Sequence, residues 1–584
     1  MPNKDELRIW RSWQSDFGKN VKNADDLLDE TVKAVEVYSD KELAKIAANG
    51  FNAIWVHGII NNMIQTSIFP ELGRHWKVHM RNMRTLITRA KKHGLRVLIY
   101  CQPPRGIDED SPFWKKHPDV RGPRILFPSD DGNQIVQYAV CTSTGKVKAF
   151  LSEGFERLMR ELPDLAGVIL ITASEFPSHC YGRYNSRQKF GFMDCPRCVD
   201  RSPSEVVNEI IQRVRDGVRN VSQQAQVIAW NWSWSAYEND PNPTIVGNLP
   251  KDVVLMCGFE RGDSKVILGK RRAIDEYALS YVGPSDRFIG ACKIARKNGL
   301  KVMAKLQIGT THELATVASI PVLGNIYEKA RNYRKLGLDG FVGCWNFGNL
   351  TSANTAAFNT FISVGKLPAR EKALTAFAES YFPGCEADKV VQAWEIFGKA
   401  MDYYPFCIPF LYFSPVNYSL AYPIKPKQIG RKVGGRSWLM DVRGDNHDLS
   451  FGCYTLDEII KGLGMLARTW RPGTVALEKG LKTTSGEHGA RETDNAWMVY
   501  HVYRSAWNTY RTYKLRKKWS DAKLDAYLRI IKNEIANLEQ VVPILTRDHE
   551  RQFGYHIEAH GQMFDLDGVK KKIRSLKRQL SSVK

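Results

Sequence analysis

Nowhere in its 584 residues does the chain hold the ~20 successive apolar residues needed to cross a bilayer, so no membrane partner is expected. Residues 1–7, MPNKDEL, lack the apolar core of a secretory leader, and the expected location is the cytoplasm. Tandem repeats and low-complexity tracts are missing too, which excludes a solenoid or a disordered chain. No Gly-rich phosphate loop follows an early apolar run, and no zinc-finger, homeodomain or RNP-like pattern occurs. Acidic side chains are the scarcer sign: 62 Asp and Glu stand against 84 Lys and Arg, a net charge of +22. Such a charge draws polyanions, yet the basic residues are dispersed. Runs such as 514–518 fall on helical patterns, where a solvated face is the ordinary explanation. A nucleic-acid partner is therefore not expected, and an acidic substrate is the narrower use of the charge.

What is present has globular proportions, 43% hydrophobic and 25% charged, at a length that exceeds one ordinary core. The first two-thirds repeat a unit: a short β-branched run, a polar loop, then an amphipathic stretch of helical period. The strand candidates are 9–13, 51–59, 95–102, 166–174, 226–234, 253–259, 300–308 and 340–347. Several follow a glycine that caps a preceding helix, at Gly50, Gly94, Gly299 and Gly337. Eight such units predict a (β/α)8 TIM barrel over residues 1–365. Beyond it the β-branched runs give way to helical patterns at 370–382, 386–403, 456–469, 494–517, 524–542 and 567–580. These predict an α-helical domain over 366–584, interrupted by an irregular aromatic segment at 404–455.

Barrel active sites lie at the carboxyl ends of the strands. Those ends carry His57, Gln102, Arg105, Glu175, Asn231, Trp232, Trp234, Glu260, Arg261, Lys305, Gln307, His312, Glu313, Trp345 and Asn346. Indole faces beside amides and carboxylates suit a sugar, whose C–H groups stack on rings while its hydroxyls need fixed partners. Glycoside hydrolysis needs two carboxyl groups, one protonated toward the leaving oxygen and one ionised. Glu175, at the mouth of the apolar run 167–174, is the expected general acid; Glu260 and Glu313 are equal candidates for its partner. His57, Arg105, Asn231, Trp232, Trp234, Arg261, Lys305, Trp345 and Asn346 are substrate-binding candidates, with Trp230 a further platform. Arg105, Arg261 and Lys305 are also where a sialic or uronic acid would be met. Catalysis of this kind needs no cofactor.

These residues carry a resemblance. The stretches 97–106 (VLIYCQPPRG), 113–122 (FWKKHPDVRG), 167–180 and 195–198 (CPRC) are similar to the barrel glycoside hydrolases related to the family 20 hexosaminidases, particularly a bacterial branch with a helical carboxyl-terminal domain. The likeness extends through 275–280, which adds Glu276 to the substrate-binding candidates, and through 343–349 and the helical half. It implies an exo-acting, hexosaminidase-like reaction on a carbohydrate. One position departs: that family pairs Asp with Glu after its fourth strand, and this chain has Ser174-Glu175. Serine cannot supply the charge that orients a substrate acetamido group, so a carboxylate from another strand would have to substitute. The end of the fourth run is also similar to the Asn-Glu-Pro end of retaining barrel glycosidases, which favours Glu313 as nucleophile.

The eleven cysteines are odd in number and mostly sit in apolar runs, as expected of a reducing compartment. Cys180, Cys195 and Cys198 stand apart, spaced C-x14-C-x2-C after the fourth run. They are candidate ligands of a structural zinc whose fourth ligand would be His179 or a distant cysteine such as Cys141; ordinary buried thiols are the alternative.

Overall fold

The computed structural model describes residues 6–11, 29–128, 134–173, 177–182, 195–309, 311–344, 351–426, 445–485, 487–549, 552–556 and 561–582. Glu175, Trp345 and Asn346 lie outside the described residues.

All eight strand candidates contribute to one closed parallel barrel: β1 (Leu7–Trp10), β2 (Ala53–His57), β3 (Arg96–Cys101), β4 (Gly167–Ile171), β5 (Gln226–Trp230), β6 (Val254–Gly258), β7 (Val302–Lys305) and β8 (Gly340–Val342). Each pairs with its chain neighbours, and β1 closes the ring on β8 at Leu7–Gly340, Arg8–Phe341 and Ile9–Val342. Period-two alternation sends Ile9, Trp55, Tyr100, Ile171, Trp230, Met256 and Met303 into the barrel interior. The alternate positions, such as Trp10, Ile54, Val168 and Leu255, join the larger core between strands and helices. Gly94 and Gly299 end helices at φ +70° and +74°; a Cβ there would meet nothing, so backbone conformation alone selects glycine.

Two insertions decorate the carboxyl-terminal face. After β3 comes a three-stranded antiparallel sheet of Ile107–Asp108, Arg121–Pro128 and Gln134–Val140. After β6 comes the hairpin Asp263–Ile267/Lys270–Ile274, turned by Leu268 and Gly269 at positive φ.

The helical half follows the expected order, with Arg370–Tyr381, Ala387–Met401, Leu456–Gly480, Glu487–Lys517, Leu524–Arg547 and Leu566–Ser581. Two helices run through prolines, Pro472 and Pro543, where the sequence pattern placed their ends. Proline removes one backbone hydrogen bond. The packing beside Pro472 offsets this: Trp470 is fully buried and stacks on Phe397 at 4.1 Å between ring centroids. No described helix is long and apolar enough to cross a membrane.

The two halves interlock. Lys265 of the hairpin pairs with Asp402 at 2.6 Å, and Lys270 and Arg272 both reach Glu458, at 2.8 and 3.1 Å. The loop after β7 is held from the other side. Asn417 Oδ1 accepts from the Ala315 amide at 2.8 Å, Asn495 donates to the Ser319 carbonyl at 2.7 Å, and the Gly554 amide donates to the Thr316 carbonyl at 2.9 Å.

Candidate active site

A cavity of 380 Å³ opens at the carboxyl ends of β4 to β6, lined among others by Ala173, Trp230, Asn231, Trp232, Arg261 and Tyr277. Strict alternation would keep Asn231 and Trp232 on opposite faces of a strand. Both line the cavity because β5 stops at Trp230 and the chain turns at Ser233, φ +57°. Trp234, expected as a platform, is instead fully buried outside the cavity, where its indole N–H donates to Thr172 Oγ1 at 2.9 Å. The same turn explains it: Trp234 opens a 3-10 turn and no longer belongs to the strand.

The floor of the mouth is aromatic. The Tyr277 ring lies near-parallel to both Trp232 (5.9 Å, 27°) and His312 (6.0 Å, 18°). Lys305 Nζ sits 3.0 Å from the centre of the Tyr277 ring and donates to Gln307 Oε1 at 3.1 Å. Burial pushes this lysine down to about 7. On the strands opposite, His57, Tyr100, Gln102 and Arg105 gather. The His57 and Tyr100 rings are 5.3 Å apart, and the Arg105 guanidinium donates to Gln102 Oε1.

Three carboxylates face very different surroundings. Glu260, an expected partner of Glu175, turns away from the cavity into a fully buried pair with Lys329 of the helix Leu323–Leu336, and also accepts from the Gln307 amide at 2.9 Å. Both contacts are made by Oε1, and its ion pair fits an anchoring role; Oε2 is buried with no hydrogen-bond partner among the described residues. Glu313 is likewise enclosed: it accepts from the Leu279 and Ser280 amides at 2.6 and 3.1 Å and from the Thr311 hydroxyl at 3.0 Å. Burial pushes its carboxyl up despite these donors. It pins the segment that follows Glu276 and Tyr277.

Glu276 is the carboxylate set among the aromatic groups. It is 3% exposed and accepts a hydrogen bond from the Tyr412 hydroxyl. Burial works against its charge, but Arg261, His312 and Tyr412 together hold the carboxyl below its ordinary value. Tyr412 belongs to the aromatic segment of the helical half, so that segment reaches Glu276 at the barrel mouth.

Of the three cations expected to meet an acidic group, Arg105 is engaged with Gln102, and Lys305 lies on Tyr277. Arg261 differs. Its guanidinium lies over Trp232, 4.4 Å from the ring centre, and Nε donates to the Asp275 carbonyl at 2.8 Å. Its terminal nitrogens have no hydrogen-bond acceptor among the described residues, and the side chain lines the cavity. Asp240 also lines it, 2.7 Å from Arg287 Nε, with its carboxyl raised by burial. Nothing in the sequence singled out Asp240, Tyr277 or Tyr412. Only the aromatic richness around position 412 was a signal.

Beside the site, Cys141 joins Cys180, Cys195 and Cys198 in one buried knot, with all four sulfurs within 4.8 Å of one another. None of the cysteines forms a disulfide.

No protein-family model and no curated protein sequence matches the chain. Solved structures share its fold. A GH138 enzyme targeting pectin rhamnogalacturonan II aligns at a TM-score of 0.55 and 11% identity over 99% of this chain and 84% of that one. A GH89 enzyme from Clostridium perfringens, solved with its substrate GlcNAc-alpha-1,4-galactose, aligns at 0.51 and 9% identity over 99% of this chain and 63% of that one. The likeness covers the barrel and the helical half together.

Proposed function

We propose that this protein is a glycoside hydrolase whose reaction takes place at the carboxyl-terminal mouth of the barrel. The observation that carries the reading is the setting of Glu276: a buried carboxylate whose charge Arg261 favours, next in sequence to Tyr277, where Arg261, Tyr277, Trp230 and Trp232 line a cavity the size of a sugar ring or two. Glu175 is the proposed general acid. It lies outside the described residues, and Ala173, two residues before it, lines the cavity. Its proton goes to the leaving oxygen as the glycosidic C–O bond breaks. Glu276 then serves as the ionised partner, either attacking the anomeric carbon or taking a proton from the attacking water. Glu260 and Glu313 fall to supporting roles in this scheme, because Glu260 is ion-paired with Lys329, Glu313 accepts from backbone amides, and neither is among the residues lining the cavity. A hexosaminidase-like outcome rests on the family resemblance and would require Glu276 to do the work of the missing Asp beside Glu175.

The reading is tested with a panel of aryl glycosides, followed by NMR of the first anomer released. Turnover that disappears in both Glu175→Gln and Glu276→Gln supports it; turnover unchanged in either variant removes that residue from the scheme.

Arg261 favours a second, narrower reading, a uronic or sialic acid at the cleaved end. Its terminal nitrogens are available to a carboxylate in bidentate fashion. The expected outcome is a higher kcat/KM on an aryl glycosiduronic acid than on the neutral counterpart, with the preference narrowing in Arg261→Gln. The reverse preference dismisses the reading.

A further inference from the structure

The four-cysteine knot lies outside the reaction scheme, and its geometry is that of a metal site. Cys141 Sγ stands 3.6 Å from Cys195 Sγ and 3.7 Å from Cys198 Sγ. A disulfide needs ~2.05 Å. A tetrahedron of thiolates with Zn–S bonds of ~2.3 Å has edges of ~3.8 Å, close to the observed spacings. We infer that Cys141, Cys180, Cys195 and Cys198 bind one structural Zn2+ and that this ion anchors the loop after β4.

Three further observations support the site. The amides of Ser143 and Arg197 point at the sulfurs of Cys141 and Cys195, each two residues back along the chain, so both turns present a thiolate with a backbone donor on it. Arg197 Nε lies 3.3 Å from Cys141 Sγ and the Ser143 hydroxyl 3.2 Å from Cys198 Sγ. Four thiolates on Zn2+ leave a net charge of about −2, and these donors are the outer shell such a charge requires. His179, the other candidate for fourth ligand, has both ring nitrogens engaged. Nε2 donates to the Thr172 carbonyl at 2.5 Å, and Nδ1 accepts from the Tyr181 amide at 3.2 Å.

The ligands come from three separate places in the sequence. Cys141 ends the sheet inserted after β3 and leads into the helix Gly145–Glu161. Cys180 follows β4, five residues beyond Glu175. Cys195 and Cys198 lead into the helix Pro203–Arg219. The segment between Glu175 and Cys180 is also laced to the inserted sheet: the Gly106 amide donates to the Pro177 carbonyl at 2.8 Å and the Val140 amide to the Ser178 carbonyl at 3.1 Å. All four cysteines are 6% exposed or less, and four protein ligands leave no open position, so the ion braces rather than reacts.

The inference does not depend on the proposed reaction, and its test reads metal and stability. Full-length protein purified without chelators is expected to carry one zinc per chain by elemental analysis. His179→Ala should retain that zinc, whereas Cys141→Ser and Cys195→Ser should lose it. Because a cysteine variant can misfold, the wild-type chain carries the decisive arm. Stripping its metal with 1,10-phenanthroline should lower the melting temperature, Zn2+ should restore it, and Co2+ loading should give thiolate charge-transfer bands. Zinc below stoichiometry with four thiols reactive in the native protein, disulfides among these cysteines, or iron in place of zinc would each overturn the inference.

Discussion

The Glu260–Lys329 pair offers the sharpest test of how the carboxylates are divided between structure and chemistry. Both side chains have no exposed surface, and Lys329 also donates to the Ala278 carbonyl at 3.1 Å, in the segment that carries Glu276 and Tyr277. Glu260→Gln preserves shape and removes the negative charge, leaving a lysine in the low-dielectric layer between barrel and helix. Breaking a buried pair on one side costs about 3–5 kcal/mol. For a cooperative unit of this size, with an unfolding entropy of about 2.1 cal/mol/K per residue, that corresponds to a fall in melting temperature of about 2–6 °C. Replacing both partners, Glu260→Gln with Lys329→Met, removes the stranded charge and should recover most of the loss, since apolar substitutes for buried pairs are often close to neutral. The assay is differential scanning calorimetry on the wild type, both single variants and the double variant, with aryl glycoside turnover measured well below the transition. An anchoring Glu260 gives a large stability defect, a substantial rescue and measurable activity in the double variant. Full stability in Glu260→Gln together with abolished turnover would refute the reasoning and return Glu260 to the reaction.

Tyr412→Phe deletes the hydroxyl that donates to Glu276, which favours the ionised carboxylate. Its loss should raise the Glu276 pKa and move the acidic limb of the kcat/KM profile toward higher pH, which a pH–rate series would show. Lys305, held at about 7 in the fold against 10.5 ordinarily, takes up a proton on unfolding at any pH between those values. Stability should therefore rise with pH through that window, and Lys305→Met should flatten the slope of melting temperature against pH; an unchanged slope would show that other groups set it.

Much of the scaffold was legible because its causes are local. Eight β-branched runs, each stiff at χ1 and flanked by helical periods, mark the barrel strands, and Gly94 and Gly299 mark turns that only a positive φ allows. The inserted sheet after β3 was missed because its longest strand, RGPRILFP, carries Gly and Pro at its second and third positions, which read as a loop. The site was less legible because its decisive contacts are distant in the chain. Glu260 and Lys329 are 69 residues apart, and Tyr412 and Glu276 are 136 apart; no spacing rule announces either. Trp234 was misplaced by a single turn: the apolar pattern runs through 226–234, but a left-handed Ser233 ends the alternation before it. Cys141 was visible only as one of two completions of the cysteine cluster. The choice depends on hydrogen bonds at His179 that a sequence does not display.

The loop after β7 bears His312 and Glu313 yet is completed by Asn417, Asn495 and Gly554, all from beyond the barrel. The seam near residue 365 is thus a boundary in composition but not in the making of the barrel's rim. A recombination event that delivered the barrel to a new partner would deliver it without the residues that finish its own rim. Homologues of this chain should therefore retain the two halves as an inseparable pair, and shuffling should be confined to whatever is appended outside them.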